Sequence, residues 1–311
     1  KDSESFKDIE TTAATAFDGC ICSGTDNFAG LARHLKKNKN KVMIISDGAD
    51  EFLGGYKIDI EAYKLDKFLA PGKPFYFLKF FTKFKIVKKI ISFLLNLKRN
   101  REFEFSYDPF YTSVNHSVCS DAFMKKIFKN YSTLKYKDYG ILGDEYNDLS
   151  KKLDYSQKRA LSYATKTLPD MFNMRLDKAS MRHSVEVRLP FQSIKIAEML
   201  IAMPSKYRFK DQRGKSFLRI LIEKYLGRTI SNLPKKGMGN YLWLNEDIGK
   251  DLDFKNEIRN SKFLEGEIFN KNVKKILLQK EVHPCNLWNA FCLTKTFKRL
   301  EEINKLKKIV K

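Results

Sequence analysis

Cysteine and histidine are scarce in this 311-residue sequence, and their scarcity argues against two kinds of protein. The five cysteines are an odd number and no secretory signal precedes them, which argues against a secreted, disulfide-rich fold. Cys20 and Cys22 have one residue between them, whereas common zinc and thioredoxin-like pairs have two, and the four histidines are scattered. The sequence therefore predicts no zinc site and a reducing, cytoplasmic compartment.

Long uncharged apolar runs are also missing. The most apolar stretch, residues 74–97, contains five lysines, whereas a transmembrane helix needs about 20 mostly uncharged residues. Its apolar residues recur at helical spacing from Phe77 to Leu95 with the lysines on the other side, which predicts an amphipathic helix. We expect this helix to pack on the domain and expect no membrane partner. A membrane-surface helix is the alternative, because a basic amphipathic face also suits anionic lipid.

Lysine and aromatic residues, by contrast, are abundant. The chain has 59 Lys and Arg against 37 Asp and Glu, for a net charge of +22, and its 25 Phe and 14 Tyr exclude a disordered chain. The positive residues are 46 Lys and 13 Arg, with the lysines spread from Lys1 to Lys311. Because Arg is favoured for base and phosphate recognition, this composition predicts a solvated lysine surface and no nucleic-acid partner. An anionic small substrate such as a nucleotide is compatible with it.

One strand and many helices are predicted. Residues 42–45 form a short continuous apolar run, typical of a strand buried on both faces of a parallel sheet. An interior strand needs neighbours on both edges. We expect those neighbours upstream of Lys1, and the absence of an initiator Met also indicates that the sequence begins inside a longer protein. Predicted helices cover about 28–36, 60–69, 74–98, 120–130, 154–166, 192–202, 214–226, 268–280 and 285–308.

Three acids directly follow the predicted strand, in the segment Ile45-Ser46-Asp47-Gly48-Ala49-Asp50-Glu51. Ligands of open α/β sheets bind beyond the carboxyl ends of the strands. Gly48 and the N–H groups of a tight turn can approach a phosphate closely, and paired carboxylates can hold Mg²⁺ or accept a proton. The alternative is an acidic first helical turn that only complements the helix dipole.

Three segments together resemble one enzyme family. Ser46–Glu51 followed by Gly54-Gly55-Tyr56 resembles the second nucleotide-binding motif of the asparagine synthetase family, glutamine-dependent ligases built on an ATP-pyrophosphatase domain. Residues 176–191 (LDKASMRHSVEVRLPF) are similar to its Asp-Arg-x-x-x-x-His-x-x-Glu-x-Arg-x-Pro-Phe stretch, and residues 233–239 (LPKKGMG) to its Pro-Lys-Lys-Gly-Phe-Gly segment. The order and spacing of the three agree with the family, and the resemblance covers about residues 13–300.

The resemblance implies a fold and a reaction. The fold is an α/β parent of the adenine-nucleotide alpha-hydrolase type with a parallel sheet, of which this chain would be mostly α with a remnant of the sheet. Residues 1–311 would be one N-terminally truncated synthetase domain, without the glutaminase domain and the pyrophosphate loop. In the reaction, aspartate attacks the α-phosphate of Mg-ATP to give β-aspartyl-AMP and pyrophosphate, and glutamine-derived ammonia then displaces AMP. ATP and Mg²⁺ are the expected cofactors, and a homodimer is left open.

Site roles are implied residue by residue. Asp47 matches the acid of the ammonia-addition step, where Glu is more familiar, and Asp50 matches the carboxylate near Mg-pyrophosphate. Ile45 and Ser46 match backbone contacts to the nucleotide, and Lys235 matches the lysine of the acyl-adenylate transition state. A cation over an α-phosphate stabilises the charge that grows there.

The second motif adds further expectations. Lys178, where the family commonly has Arg, would contact phosphate, and Asp177 would support the loop or the substrate. Glu186 and Arg188 are expected to form a buried ion pair that holds the loop, since buried charges are usually paired. The family's Asp after Pro-Phe is replaced by Gln192.

The segment Ser23-Gly24-Thr25-Asp26-Asn27 looks like a pyrophosphate loop but lacks a glycine and a preceding strand, so we interpret it as an ordinary turn. The isolated 311 residues are therefore expected to be inactive. Two alternatives stay open: a related ligase that amidates another carboxylate, as in sugar amidation or ring closure, and a non-catalytic, lysine-rich binding protein on the same scaffold.

Overall fold

The structure is a computed structural model, and it describes residues 25–81, 86–87, 90, 94, 121–131, 152–210, 213–234, 254–280, 282 and 284–309. The strands are β1 (Val42–Ile44) and β2 (Glu186–Arg188). The α-helices are α1 (Thr25–Lys37), α2 (Ala49–Leu53), α3 (Lys57–Phe68), α4 (Asp121–Ile127), α5 (Tyr155–Ser162), α6 (Met174–Met181), α7 (Ile194–Ala202), α8 (Ser205–Arg208), α9 (Ser216–Leu226), α10 (Arg228–Ser231), α11 (Phe254–Arg259), α12 (Val273–Leu277) and α13 (Pro284–Ile309). A π-helix (Tyr163–Asn173) joins α5 to α6, and 3₁₀ turns occur at Tyr76–Phe81, Pro190–Gln192 and Phe263–Glu265.

The two strands pair in parallel, with Met43 opposite Val187. The ladder continues beyond β1, because the Ile45 N–H donates to the Arg188 carbonyl at 3.0 Å. We expected all neighbours of β1 upstream of Lys1, and this was wrong for one edge of the strand. The neighbour at that edge is β2, which lies in the second motif. The helices between the strands supply the crossover connection that parallel pairing requires.

Burial of β1 is one-sided in the described part of the chain, which corrects the prediction of a strand buried on both faces. Met43 is buried beside Ala32 and Val185, whereas the Ile44 side chain is 72% exposed. On the buried side α1 packs on α6 through a small apolar cluster that includes Phe28 and Leu176. The described residues are thus mostly helical with a two-stranded parallel sheet, which is consistent with the truncated α/β domain that was expected.

The predicted helices are largely present, with three informative differences. The helix predicted at 154–166 continues through the π-helix and α6 to Met181, because Pro169, a residue that normally ends an α-helix, is accommodated inside the π-helix. The helix predicted at 268–280 is shorter, because Phe269 forms an antiparallel bridge with Phe128 before α12 begins. Where the structure describes the predicted helix 74–98, it corrects the prediction: Tyr76–Phe81 form a 3₁₀ turn, and Phe77, Phe80 and Ile86 are exposed rather than packed on the domain, while the rest of the segment lies outside the described residues.

The C-terminal helices form a separate cluster. Ile258 of α11, Val273 of α12 and Ala290 of α13 pack together, and Phe254 lies 4.3 Å, centroid to centroid, from the ring of Phe291. Within the described ranges, no helix is long and apolar enough to cross a membrane.

Candidate functional site

A tight turn at the carboxyl end of β1 carries the predicted acids. Gly48 has a φ of +104°, a backbone conformation that L side chains rarely adopt. A Cβ at this position would also lie 3.0 Å from the Gln192 Cγ and 3.3 Å from the Phe191 Cβ. Glycine is thus required both by the turn and by the close approach of the second motif, and the turn places Asp47 and Asp50 at one edge of the sheet.

The N–H groups of this turn are satisfied internally. Gly48 donates to the Oε2 of Glu51 at 2.9 Å, and the Ala49 N–H donates to the Ser46 carbonyl at 3.1 Å. The expected approach of the Gly48 N–H to a phosphate is therefore not how this structure uses that group. The contribution of Gly48 here is conformational.

Glu51 is a buried carboxylate directly beneath the turn. It accepts hydrogen bonds from the Gly48 N–H and from the Tyr56 hydroxyl. Burial raises the pKa of Glu51, and the hydrogen bond from Tyr56 acts in the opposite direction. Burial and then the neighbouring carboxylate raise the pKa of Tyr56. Glu51 therefore fixes the turn that carries Asp47 and Asp50 rather than facing the open edge with them.

Asp50 is paired with Lys215, a residue that the sequence patterns did not single out. The Lys215 Nζ lies 2.9 Å from the Asp50 Oδ1, and each side chain is about one quarter exposed. The Lys215 N–H donates to the Leu53 carbonyl at 2.9 Å. A Cβ at Gly214 would lie only 1.9 Å from the Gly54 carbonyl oxygen, so the two backbones are in direct contact. The loop before α9 is thereby held against α2 with its ammonium group at the acid.

Asp47 is paired with Arg175 of α6, again outside the predicted set. The Arg175 NH2 nitrogen lies 3.3 Å from the Asp47 Oδ2, and its guanidinium lies 4.4 Å from the ring centroid of Phe172 and 5.1 Å from that of Phe28. Stacking of this kind suits the planar guanidinium. The nearest signal in the sequence was Lys178, which is three residues further along the same helix and therefore on the same side.

Gln192 links the two motifs where the family pattern has Asp. Its amide nitrogen donates to the Asp47 carbonyl at 3.2 Å and to the Asn173 Oδ1 at 3.1 Å. Its amide oxygen accepts from the Asn173 Nδ2 at 2.8 Å. An ionised carboxylate could accept but not donate, so the replacement of Asp by Gln is what permits the bond to the Asp47 backbone.

A buried ionic cluster lies behind the turn. The Asp59 Oδ1 accepts from the Arg159 Nε at 2.6 Å and from the Tyr163 hydroxyl at 3.1 Å. The Asp59 Oδ2 accepts from the Tyr56 N–H at 3.3 Å, which connects the cluster to Glu51. The cluster ties α3, which follows the site, to α5 and the π-helix, which lead to Arg175.

Arg208 secures the far end of α2. Its guanidinium is buried and donates to the carbonyls of Phe52, Leu200, Ile201 and Met203. Burial lowers the pKa of Arg208 to about 10, so the side chain remains charged at neutral pH. One cation therefore donates to carbonyls near the ends of two helices, α2 and α7, where carbonyls generally lose their intrahelical donors.

The ion pair expected between Glu186 and Arg188 forms, but it is exposed rather than buried. The Arg188 Nε lies 3.0 Å from the Glu186 Oε1, and the two side chains are 61% and 60% exposed. The reason is the period of the strand: residues two apart share a face, and Val187 between them faces the core. A solvent-exposed pair of this kind contributes little to holding a loop.

The other predicted residues are distributed around this edge. Ile45 is half-buried at the end of the ladder, Ser46 is exposed, and Lys178 is half-buried on α6. Asp177 is exposed, and its carbonyl accepts from the Ser180 hydroxyl at 3.4 Å. Lys235 lies outside the described residues.

The acids at this edge fit a magnesium–phosphate group rather than a protein-only metal site. The described residues contain no group of three His, Cys, Asp or Glu side chains that could hold a metal ion. Mg²⁺, however, commonly binds through one or two carboxylates together with substrate phosphates and water. The partly exposed carboxylate of Asp50 would be such a ligand, and the Lys215 ammonium beside it would be a cation for phosphate oxygens.

Comparison with known proteins gives one match. Neither the curated proteins nor the solved structures contain a match to this chain. The family model described as asparagine synthase matches residues 21–296, which include β1, β2, the turn with both acids and the segment with Lys235. The chain therefore belongs to the asparagine synthase family.

Proposed function

We propose that the protein makes asparagine from aspartate, ATP and glutamine-derived ammonia, through β-aspartyl-AMP, with residues 1–311 acting as its synthetase domain. The family consists of ATP-dependent amide-forming ligases, so ATP use and amide formation follow from membership. The observation that carries the finer proposal is the placement of Asp47 and Asp50 at the carboxyl edge of a parallel strand pair, each beside a cation from another segment.

In the first step a carboxylate oxygen of aspartate forms a bond to the α-phosphorus of ATP, and pyrophosphate leaves. Asp50 would hold Mg²⁺ on the pyrophosphate, and Mg²⁺ would supply charge neutralisation as that group leaves. We assign Lys235 to the charge that develops on the α-phosphate, and Lys178, with the backbone of Ile45 and Ser46, to the nucleotide side of the site; Gly48 would shape the turn that positions them. Lys215 orients Asp50 through their 2.9 Å contact.

In the second step ammonia forms a bond to the activated carbonyl carbon and AMP leaves. Nitrogen gains a positive charge as it attacks, so a carboxylate nearby must accept a proton. We assign this role to Asp47, whose carboxylate is oriented by Arg175 and whose backbone carbonyl is fixed by Gln192. The Asp side chain is shorter than the Glu that is more familiar here, and these two contacts fix the position from which it would act.

Separate assays of the two half-reactions test these assignments in the full-length protein. Aspartate-dependent exchange of pyrophosphate into ATP reports the first step, and asparagine formation reports both. We expect Lys235→Ala to lower the exchange rate by about a hundredfold or more, since removal of such a donor costs on the order of 3 kcal/mol. Asp47→Asn should retain exchange and lose asparagine formation.

Lys236→Ala is the matched control for Lys235→Ala, because it removes the adjacent lysine of the same motif, and we expect it to leave exchange unchanged. Equal effects of the two lysine substitutions would refute the catalytic assignment of Lys235. If the exchange depends on another carboxylic acid instead of aspartate, the protein is still an ATP-dependent ligase, but that acid and not aspartate is its substrate.

A further inference from the structure

A set of exposed apolar side chains that the proposed ligase reaction does not use lies in the sequence between α3 and α4. We call it the basic aromatic surface, and we define it by the solvent-exposed side chains of Phe75, Phe77, Phe80, Phe81, Ile86, Ile90 and Leu94. Phe80 is 69% exposed and Ile86 is 72% exposed. Ile86, Ile90 and Leu94 are four residues apart, the spacing that aligns side chains on one face of a helix. Single exposed apolar residues are ordinary, but seven within twenty positions mark an interaction site.

The sequence around this surface has an extreme charge. Residues 67–101 contain eight Lys, two Arg and no Asp or Glu, so these 35 residues contribute +10 of the net +22 of the chain. The lysines alternate with the apolar residues rather than forming a separate block. A partner that binds this segment must therefore accept apolar side chains and positive charge from the same stretch of sequence.

Two partners fit this combination poorly. A second copy that used the same surface in a two-fold contact would bring two segments of charge +10 together. Single-stranded nucleic acid suits the positive charge and the Phe rings, which can stack on bases. It does not suit the aliphatic row Ile86, Ile90 and Leu94, which has no flat ring to stack.

An anionic bilayer surface satisfies both requirements. Phe, Ile and Leu side chains can enter the boundary between headgroups and acyl chains, while long lysine side chains reach the negative headgroups. Clustered lysines beside an amphipathic segment are attracted to anionic lipid over about one Debye length, so the attraction weakens as salt is added. We propose that the basic aromatic surface docks the protein peripherally on the surface of an anionic phospholipid bilayer.

Vesicle co-sedimentation of the full-length protein tests this proposal. The probes are vesicles of phosphatidylcholine alone and vesicles that also contain about 30% phosphatidylglycerol. We expect binding to the anionic vesicles at low salt, at least tenfold weaker binding to the neutral ones, and loss of binding as salt rises. Phe77→Ser with Phe80→Ser, and separately Lys88→Gln with Lys89→Gln, should each weaken binding to the anionic vesicles by about tenfold.

Matched controls distinguish binding through this surface from non-specific hydrophobic binding and from non-specific attraction of positive charge to the vesicles. Tyr225→Ser with Leu226→Ser removes two side chains of α9 that are as exposed, and Lys36→Gln with Lys39→Gln removes two exposed lysines elsewhere. Both should bind as the natural protein does, and all variants should retain its circular dichroism. The proposal is overturned if neutral and anionic vesicles bind equally or if the controls lose as much binding. It is also overturned if the Phe substitutions abolish self-association or single-stranded DNA binding while vesicle binding is absent throughout.

Discussion

The buried pair of Asp59 and Arg159 supports a quantitative prediction about what holds the site together. Both side chains are almost fully buried, at 4% and 2% exposure, with 2.6 Å between the Asp59 Oδ1 and the Arg159 Nε. Arg159→Met removes the cation and leaves the carboxylate in the interior. Breaking a buried pair in this way generally costs about 3–5 kcal/mol, because an uncompensated charge remains.

The geometry places the expected cost near the lower end of that range. Asp59 would still accept hydrogen bonds from the Tyr163 hydroxyl and the Tyr56 N–H, so its charge would be partly compensated. We therefore expect Arg159→Met to lower the free energy of unfolding by about 3 kcal/mol. Adding Asp59→Asn removes the buried charge and should restore about 1–2 kcal/mol of that loss.

Urea unfolding followed by circular dichroism measures both values. Arg299→Met is the control, because it makes the same substitution in an exposed i,i+3 pair: the Arg299 NH1 nitrogen lies 3.1 Å from the Glu302 Oε2, and the two side chains are 50% and 53% exposed. That change should alter stability by no more than about 0.5 kcal/mol. A loss of under about 1 kcal/mol for Arg159→Met would refute the burial argument, and so would a further loss of stability when Asp59→Asn is added.

Three further predictions concern the turn and its contacts. Gly214→Ala should destabilise the fold by about 1–3 kcal/mol, because the added Cβ would lie 1.9 Å from a backbone oxygen. Gly30→Ala is the control: the site on α1 is open, so the substitution should stabilise the fold by up to about 1 kcal/mol. Thermal unfolding measures both changes. Burial raises the pKa of Glu51, so its stabilisation is complete below the ordinary value of 4.5 and is lost as pH rises through the folded-state pKa. The stability of Glu51→Gln relative to the natural protein should thus increase as the pH rises above 4.5, and a constant difference would contradict this reasoning. Lys215→Met should lower kcat/KM for ATP by about tenfold with little change in unfolding, whereas Lys224→Met, on the exposed part of α9, should not.

Local patterns predicted the acidic half of the site. The apolar run of β1 and the acids after it are adjacent in sequence, and the parallel ladder confirms that the strand ends where Asp47 begins the turn. The cationic half was missed. Arg175 and Lys215 reach the acids only through the packing of α6 and of the loop before α9, and among 59 cations nothing local distinguishes these two.

The second strand left a signal that the sequence analysis did not use. Residues 184–189 (SVEVRL) alternate between polar and apolar, and Val185, Val187 and Leu189 pack on the core, but the segment was interpreted only as a motif of charged residues. Its conformation is set by pairing with β1, which lies far away in sequence. For the same reason the Glu186–Arg188 pair was expected inside the protein, since its position on the solvent face follows only from the strand.

The length of the π-helix between α5 and α6 determines how α6 is rotated about the helix axis relative to α5. Its eleven residues, Tyr163–Asn173, follow a wider hydrogen-bond spacing than an α-helix, and Arg175 is the second residue after it. Deleting one residue there would turn α6 by about 100° relative to α5. Arg175 would then point away from Asp47, and the Leu176 face would leave the cluster with Phe28. The number of residues in this segment is thus a determinant of the site in its own right, and substitutions within it should be tolerated better than any insertion or deletion.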